Sequence, residues 1–193
     1  DELGSVVGRA AHRRHARALL GGCRFEQGAV NRNLDVVGRQ ALEVIRDGGR
    51  MVAVGIAPVK VTAPVEITEY ADYQCPFCQT FATLQMPTIE ERLINTGRLR
   101  WRYRDFPLQM HPFARLASHS AACADEQGKY WQQHDRIYER QQEWSGARDA
   151  APLFRNYAQA LGLDLGRYDS CMESGKYAGR IQAVAGLVED EQL

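Results

Sequence analysis

The segment E-Y-A-D-Y-Q-C-P-F-C-Q-T-F at residues 69–81 contains a Cys-x-x-Cys motif, and the patterns on either side of it indicate the fold. Just before it, the β-branched run VEITEY at 65–70 predicts a strand. After Pro76 the apolar residues recur at helical spacing, with a kink expected at Pro87. The alternating segment LRWRYR at 99–104 predicts a second strand. Strand, helix and strand in this order predict a βαβ unit, so the two cysteines lie where a strand ends and a helix begins.

The spacing of Cys75 and Cys78 suits reversible disulfide chemistry. Residues three apart on a helix have Cβ atoms roughly 5–6 Å apart, close to the separation that a disulfide requires. Pro76 fits the first helical turn, which places Cys75 at the N-cap beside unpaired backbone N–H groups. The positive end of the helix favours a thiolate there. We therefore predict that Cys75 is the solvent-facing attacking sulfur and that Cys78, more buried, is the resolving thiol.

Glu69 is the candidate for proton transfer at this site. It lies six residues before Cys75 on the predicted strand. A half-buried carboxylate beneath the pair could take the proton of Cys78 and return it. The alternative is a carboxylate at the end of a strand that simply faces water.

Zinc binding is the other chemistry open to a Cys-x-x-Cys pair. Tetrahedral Zn²⁺ requires two more Cys or His ligands, usually from a second closely spaced pair, which the sequence does not contain. His111, His119 and His134 are scattered and fit a helix-entry turn and helix faces better than a ligand set. We expect no metal, and no cofactor beyond the redox-active disulfide Cys75–Cys78.

Three further cysteines lie outside the motif. Cys123 and Cys171 fall on predicted helices, where they form either a structural disulfide that ties the helical half together or two buried free thiols. An oxidising compartment favours the disulfide. Cys23 is left as a free thiol or as part of a lipid or inter-chain attachment.

Composition limits the classes of partner. The 193 residues include 24 Lys and Arg and 24 Asp and Glu, giving a net charge of zero, so no overall field attracts nucleic acid. No apolar run is long enough to span a bilayer. The opening DELGSVVGRA has neither an initiator Met nor a signal-peptide pattern, which indicates a processed or cut piece of a longer product.

The chain divides into four predicted segments. Residues 1–49 read as a basic, weakly helical arm followed by a short docking helix at 35–46. Residues 50–107 form the βαβ part, opening with two short strands over 50–71, and carry the CPFC site. Residues 108–176 are a helical insertion, and residues 177–193 are a returning helix.

At these motifs the chain resembles the bacterial DsbA-like thiol-disulfide oxidoreductases. The resemblance rests on APVEITEYADYQCPFCQTF (63–81), GRLRWRYRDFPLQMHPFARLASHSAACADEQGKYWQQHD (97–135) and YAQALGLDLGRYDSCMESGKYAGRIQA (157–183). It implies a thioredoxin-like α/β fold with an inserted α-helical domain. It also implies that Cys75 is the nucleophile, Cys78 the resolving cysteine and Glu69 the buried acid. A second disulfide, present in some members, would join Cys123 and Cys171.

The resemblance further implies what such a protein acts on. Its substrates would be unfolded or reduced exported proteins, and a membrane redox partner would re-oxidise it. Its location would be periplasmic or extracytoplasmic, with a membrane anchor in the full-length product as one alternative. The expected activity is the introduction of disulfides by dithiol–disulfide exchange at Cys75 and Cys78.

Two departures from the family keep other functions open. The active-site dipeptide is Pro76-Phe77, without the histidine of strongly oxidising members. The sequence reaches DEQL where the family would continue into a cis-proline segment and a C-terminal ββα half, so the fold is expected to lack that half and to have a bare sheet edge. The alternatives are a disulfide reductase or isomerase that uses the same site, and a redox-inactive fragment or binding module.

Overall fold

A computed structural model describes residues 63–190, with side chains as far as 184. It also describes the backbone of four earlier segments, at 17–20, 23–27, 43–47 and 50–54. The fold has two layers, a mixed β-sheet and a set of helices that packs against it.

The sheet has six strands in the order β1-β2-β5-β6-β3-β4. The strands are β1 (Arg17–Leu20), β2 (Cys23–Gln27), β3 (Glu43–Asp47), β4 (Arg50–Val54), β5 (Val65–Ala71) and β6 (Leu99–Asp105). Strands β5 and β6 are parallel, and every other neighbouring pair is antiparallel. The predicted strands at 65–70 and 99–104 and their βαβ connection are confirmed.

The predictions for the first 49 residues are wrong where the structure describes them. Strands β1 and β2 occupy part of the arm expected to be weakly helical, and β3 replaces the last part of the helix expected at 35–46. In β3, Ile45 pairs with Val52 of β4 and Arg102 of β6, so hydrogen bonds on both sides outweigh the helical spacing. Residues 35–42 lie outside the described part. The segment boundaries stay predictions.

The expected bare edge beside the βαβ unit is also wrong. Strand β2 borders β5, with Arg24 opposite Tyr70, and strand β3 borders β6. Antiparallel pairing of N-terminal strands therefore supplies partners for the backbone groups on both sides of the parallel pair.

The segment after the cysteine motif is helical but changes its hydrogen bonding. It consists of α1 (Pro76–Thr80), a π-helical turn (Phe81–Gln85), α2 (Met86–Ile89) and a second π-helical turn (Glu90–Ile94). The Met86 N–H donates to the carbonyl of Phe81, five residues back. The change comes directly before Pro87, which has no N–H to donate. The kink expected at Pro87 stays a prediction.

The remaining helices form the second layer. They are α3 (Ala114–Asp125), α4 (Tyr130–Glu139), α5 (Gln141–Trp144), α6 (Ala151–Ala160), α7 (Leu165–Ser174) and α8 (Ala178–Asp190). The helical character predicted beyond Pro107 is confirmed. Within the described residues, none of the helices combines the length and the apolar character needed to cross a bilayer.

The main core lies between the sheet and the helices, and it contains both motif cysteines. The Phe81 ring stacks on Trp101 of β6 with centroids 5.7 Å apart, which fixes the helical segment against the sheet. The buried ring of His134 contacts Tyr103 and Tyr138 at centroid distances of 4.7 and 5.1 Å, which joins α4 to the same core. The cysteine motif is therefore held between two packed layers.

Candidate active site at Cys75 and Cys78

Cys75 occupies the position directly before α1. Its backbone is extended, with φ −72° and ψ 122°, and its carbonyl accepts the first helical hydrogen bond, from the Gln79 N–H at 3.0 Å. Pro76 lies in the first turn, where its missing N–H costs nothing. The predicted N-cap position of Cys75 is thereby confirmed.

The burial of the two cysteines corrects one prediction. Cys78 is 2% exposed, and Cys75 is only 6% exposed, so the expectation that Cys75 faces solvent is wrong. Phe77, which lies between the two cysteines, is 59% exposed. Cys75 carries a free thiol, so the motif cysteines are not joined to each other here. Cys78 is in a disulfide whose partner lies outside the described side chains.

A buried carboxylate organises the turn that precedes the motif. The backbone carbonyl of Asp72 accepts from the Cys75 N–H at 3.1 Å. Its side chain accepts from the N–H groups of Gln74 at 2.6 Å and Leu108 at 2.7 Å, and lies 2.8 Å from Nδ1 of His111. Asp72 thus ties the end of β5 to the loop after β6, and it fixes the backbone on which Cys75 is mounted.

The helical layer also contacts the motif directly, and four of the hydrogen bonds that join it to residues 73–79 are donated by glutamine side chains. They are Gln74 Nε2 to the Ser145 carbonyl (2.9 Å), Gln79 Nε2 to the Tyr138 carbonyl (3.1 Å), and Gln141 Nε2 to the carbonyls of Tyr73 (2.7 Å) and Cys75 (3.0 Å). All three donors are neutral amides, so they orient the backbone without adding a charge beside the sulfurs.

Glu69 is buried in the core at 4% exposure. Its Oε2 accepts a hydrogen bond from the indole N–H of Trp101 at 2.9 Å, and the Trp101 ring belongs to the same core cluster as Cys78. The alternative in which Glu69 faces water is therefore wrong. Its role in moving the Cys78 proton stays a prediction.

A third buried acid, Asp105, ends β6 opposite Ala71. Burial, with a smaller effect from the nearby charge of Asp72, raises the pKa of Asp105 to about 7. The Ser118 hydroxyl and the charge of Arg180 oppose this shift. Asp105 therefore changes protonation near neutral pH, unlike an ordinary carboxyl group.

Four buried tyrosines line the core beside the site. Burial raises their pKa values well above the usual 10, so their hydroxyl groups stay protonated: Tyr73, Tyr103, Tyr130 and Tyr138. The hydroxyls of Tyr103 and Tyr138 lie 3.0 Å apart, and those of Tyr73 and Tyr130 lie 3.4 Å apart. These contacts satisfy polar atoms that would be costly to bury alone.

Cys123 and Cys171 form the predicted disulfide, which joins α3 to α7 across 48 residues of sequence. It lies in a second core cluster with Leu163 and Tyr168. His119, a helix-face residue in the sequence prediction, packs beside it with Nε2 3.1 Å from the Cys171 carbonyl. These three residues bring possible metal-ligating atoms together, but the two sulfurs are bonded to each other.

The sequence prediction missed the residues that hold the motif in place. Asp72 had a local signal, since an Asp in the turn before a helix commonly accepts backbone hydrogen bonds. Gln141 had none, because its contact with Cys75 spans 66 residues of sequence.

Known proteins include a matching family model, relatives in sequence and solved structures of similar fold. The family model described as Thioredoxin matches residues 60–189. The chain is 38% identical over 120 residues to the Na(+)/H(+) antiporter NhaA 3 of Salinispora tropica, covering 62% of this chain and 17% of the antiporter. It is 28% identical over 122 residues to a probable disulfide bond formation protein D of Bacillus cereus, covering 58% of this chain and 56% of that protein.

Among solved structures, oxidised BdbD from Bacillus subtilis superposes with a TM-score of 0.61 at 20% identity. That alignment covers 69% of this chain and 74% of BdbD. The chain thus spans 17% and 56% of the lengths of the two curated relatives described above. Because the family model matches more than half of the chain and the architecture is that of DsbA and BdbD structures, the chain belongs to the thioredoxin family and has its DsbA-like fold.

Proposed function

We propose that this protein is a thiol-disulfide oxidoreductase that introduces disulfides into exported proteins. The observation that carries the proposal is Cys75 at the N-cap of α1 with Cys78 one turn further on, inside a DsbA-like fold. A relative named as a probable disulfide bond formation protein supports it.

The reaction begins once a disulfide joins Cys75 and Cys78. It forms when the Cys75 thiolate attacks the Cys78 sulfur of the existing disulfide and releases the other sulfur as a thiolate, which takes up a proton. A substrate thiolate attacks the Cys75 sulfur, a mixed disulfide forms, and Cys78 leaves as a thiolate that takes up a proton. A second substrate thiolate then attacks the substrate sulfur of the mixed disulfide and releases Cys75 as a thiolate. Two electrons pass from the substrate dithiol to the cysteine pair, and the substrate gains one disulfide.

The protein environment favours particular steps of this exchange. The positive end of the helical segment that begins at Pro76 favours a departing thiolate at its N-cap residue Cys75, which makes the reduced form of the pair more favourable. Glu69 is the group proposed to exchange the proton of Cys78, since both side chains are buried and Trp101, which donates to Glu69, belongs to the same core cluster as Cys78.

Re-oxidation requires an external oxidant. We propose a membrane redox partner that accepts the two electrons, and an extracytoplasmic location where disulfides persist. The antiporter relatives are consistent with a domain attached to a larger membrane protein, of which the matched part is a small fraction. Ion transport is not proposed for this chain.

The reverse direction is the second candidate function. Reductases and isomerases use the same two cysteines, with Cys75 attacking a substrate disulfide and Cys78 resolving the mixed disulfide. The Pro76-Phe77 dipeptide favours this candidate, since it lacks the histidine that the resemblance associates with strong oxidants. The reduction potential relative to the compartment decides between the two directions.

Oxidative refolding of a reduced, unfolded substrate protein tests the proposal. The oxidised protein is expected to form substrate disulfides and restore substrate activity, whereas a Cys75→Ser variant is expected to form none. The Ser170→Ala variant, at an exposed position of α7 away from the motif, controls for handling of the protein. Equal activity of the Cys75→Ser variant and the unmodified protein would contradict the proposal and favour a redox-inactive binding module.

A further inference from the structure

We propose that Gln141 is a positioning residue of the active site, which sets the redox equilibrium of the cysteine pair by holding the carbonyls of Tyr73 and Cys75. This inference rests on the proposed function. It assigns a role in that chemistry to a residue on the helical layer, 66 residues away in sequence.

The side-chain amide of Gln141 spans the turn that carries Cys75. Its Nε2 donates to the Tyr73 carbonyl at 2.7 Å and to the Cys75 carbonyl at 3.0 Å, which accounts for both of its hydrogens. Gln141 is 2% exposed and Tyr73 is fully buried, so water does not replace these bonds easily. One amide group therefore fixes two backbone positions on either side of Gln74.

Gln141 can act as a fixed support because the short helix that carries it is anchored. At the other end of α5, the buried Trp144 donates from Nε1 to the Ile137 carbonyl at 2.9 Å. Its ring packs edge to face on Phe154, with centroids 5.0 Å apart. The position of the amide is therefore determined by the core of the helical layer.

The Cys75 carbonyl connects the hydrogen bond from Gln141 to the residue whose sulfur reacts. The same carbonyl accepts the first hydrogen bond of α1, from Gln79. A helix terminus stabilises an anion only within its first turn, so the stabilisation of the Cys75 thiolate depends on where the N-cap backbone lies. Without the amide, the carbonyls of Tyr73 and Cys75 lose these two donors, while the hydrogen bonds of Gln74 and Gln79 to the helical layer remain.

Loss of the Gln141 hydrogen bonds should shift the redox equilibrium of the cysteine pair in one direction. If the Cys75 thiolate is less stabilised, the reduced form of the pair rises in free energy and the disulfide form becomes relatively more favourable. The protein then becomes a weaker oxidant. At a fixed glutathione ratio, the ratio of oxidised to reduced protein rises.

The test compares Gln141→Met with a matched control, Gln133→Met. Gln133 is also a fully buried glutamine of the helical layer, and its Nε2 also makes two hydrogen bonds, to Ser120 Oγ at 2.9 Å and the Phe154 carbonyl at 3.1 Å. Those bonds lie away from the motif. Methionine keeps the length of either side chain and removes its donors, so both variants lose stability for the same reason.

The measurement is equilibration of the Cys75–Cys78 pair with glutathione, read by mass after alkylation, in full-length protein carrying Cys23→Ser. We expect Gln141→Met to raise the ratio of oxidised to reduced protein about fivefold, the size of a typical helix-terminus interaction. Gln133→Met should leave it unchanged. If Gln141→Met does not fold, Gln141→Asn keeps a neutral amide but is one methylene shorter, cannot reach both carbonyls, and should shift the ratio the same way.

The outcomes separate this inference from the proposed function. If the unmodified pair equilibrates and Gln141→Met leaves the ratio unchanged, or if Gln133→Met shifts it equally, the positioning role is wrong and the proposed function stands. If the unmodified pair does not equilibrate with glutathione at all, the proposed function fails and the role of Gln141 fails with it.

Discussion

Three buried carboxylates near the motif show how environment separates residues of one chemical type. Asp72 receives donors from two backbone N–H groups and contacts His111. Glu69 receives the indole N–H of Trp101. For Asp105, burial is the largest effect on the carboxyl group, and its pKa is raised to about 7. At the scale of single residues, the hydrogen-bond donors around each carboxylate therefore decide its role.

Asp105 should make the protein less stable as the pH rises. Its pKa is about 7 in the folded state against an ordinary value of 3.8, so the unfolded chain ionises first. The loss of folding stability caused by ionising the buried Asp105 is absent below pH 3.8, grows between pH 4 and 7, and is complete above 7. Asp105→Asn is expected to remove it, gaining up to about 4 kcal/mol at pH 8 relative to pH 4.

Urea unfolding of both proteins at pH 4 and pH 8 measures this difference. The comparison at two pH values cancels any change in packing that the substitution introduces, since packing does not titrate. The same difference between Asp105→Asn and the unmodified protein at both pH values would show that Asp105 does not titrate as described.

Glu69→Gln should slow thiol exchange while leaving the fold intact. The amide keeps the shape of the side chain but cannot take the proton of Cys78, and general acid–base groups commonly contribute about 100-fold or more. Stopped-flow exchange with a reduced peptide measures the rate. Glu66→Gln is the matched control, because Glu66 lies on the same strand but pairs with Arg100 and Arg102. Equal rates in all three proteins would exclude the proton-transfer role.

Helices and strands whose apolar residues repeat with one clear spacing could be predicted from the sequence. Strands that form only by pairing with residues distant in sequence could not. Alternation in LRWRYR predicted β6, and helical spacing after Pro76 predicted the segment from α1 onward. Strand β3 was read as helix, because Val44 and Ile45 fit a helical face equally well. Its strand conformation comes from pairing with β4 and β6, which no local pattern records.

The same limit applies to the site. The positions of Cys75 and Cys78 follow from a local motif, and Pro76 marks the start of the helix. The burial of Cys75 and the contact of Gln141 depend on how the helical layer docks, so they required the structure.

The disulfide between α3 and α7 should stabilise the helical layer. Closing a loop of 48 residues corresponds to roughly 4 kcal/mol on the loop-entropy model, of which native strain commonly offsets part. Replacing both Cys123 and Cys171 with alanine is expected to lower the free energy of unfolding by about 2–4 kcal/mol. Urea denaturation measures the change.

A reductant supplies the control for this disulfide. In dithiothreitol the unmodified protein and the double variant should converge to nearly the same stability, because the reductant opens Cys123–Cys171 in the first and any remaining disulfide in both. If removal of both cysteines cost nothing in the oxidised protein, the bridge would have no structural role.

For the whole molecule, the arrangement of the two layers is what gives the cysteine pair its environment. The sheet supplies Glu69, Trp101 and the turn at Asp72, while the helical layer holds the backbone of Cys75. Neither layer alone forms the site. The helical layer is therefore part of the candidate active site, since Gln141 fixes the backbone that carries Cys75.

The reduction potential of the Cys75–Cys78 pair, with Cys23 replaced by serine, is the first test of the claim that the protein donates disulfides. The proposed disulfide donor requires a stabilised Cys75 thiolate, which predicts a potential closer to the about −120 mV of strong oxidants than to the about −270 mV of thioredoxin. Equilibration with glutathione gives the value. A potential near about −270 mV would contradict the claim and make the protein an electron donor to substrate disulfides.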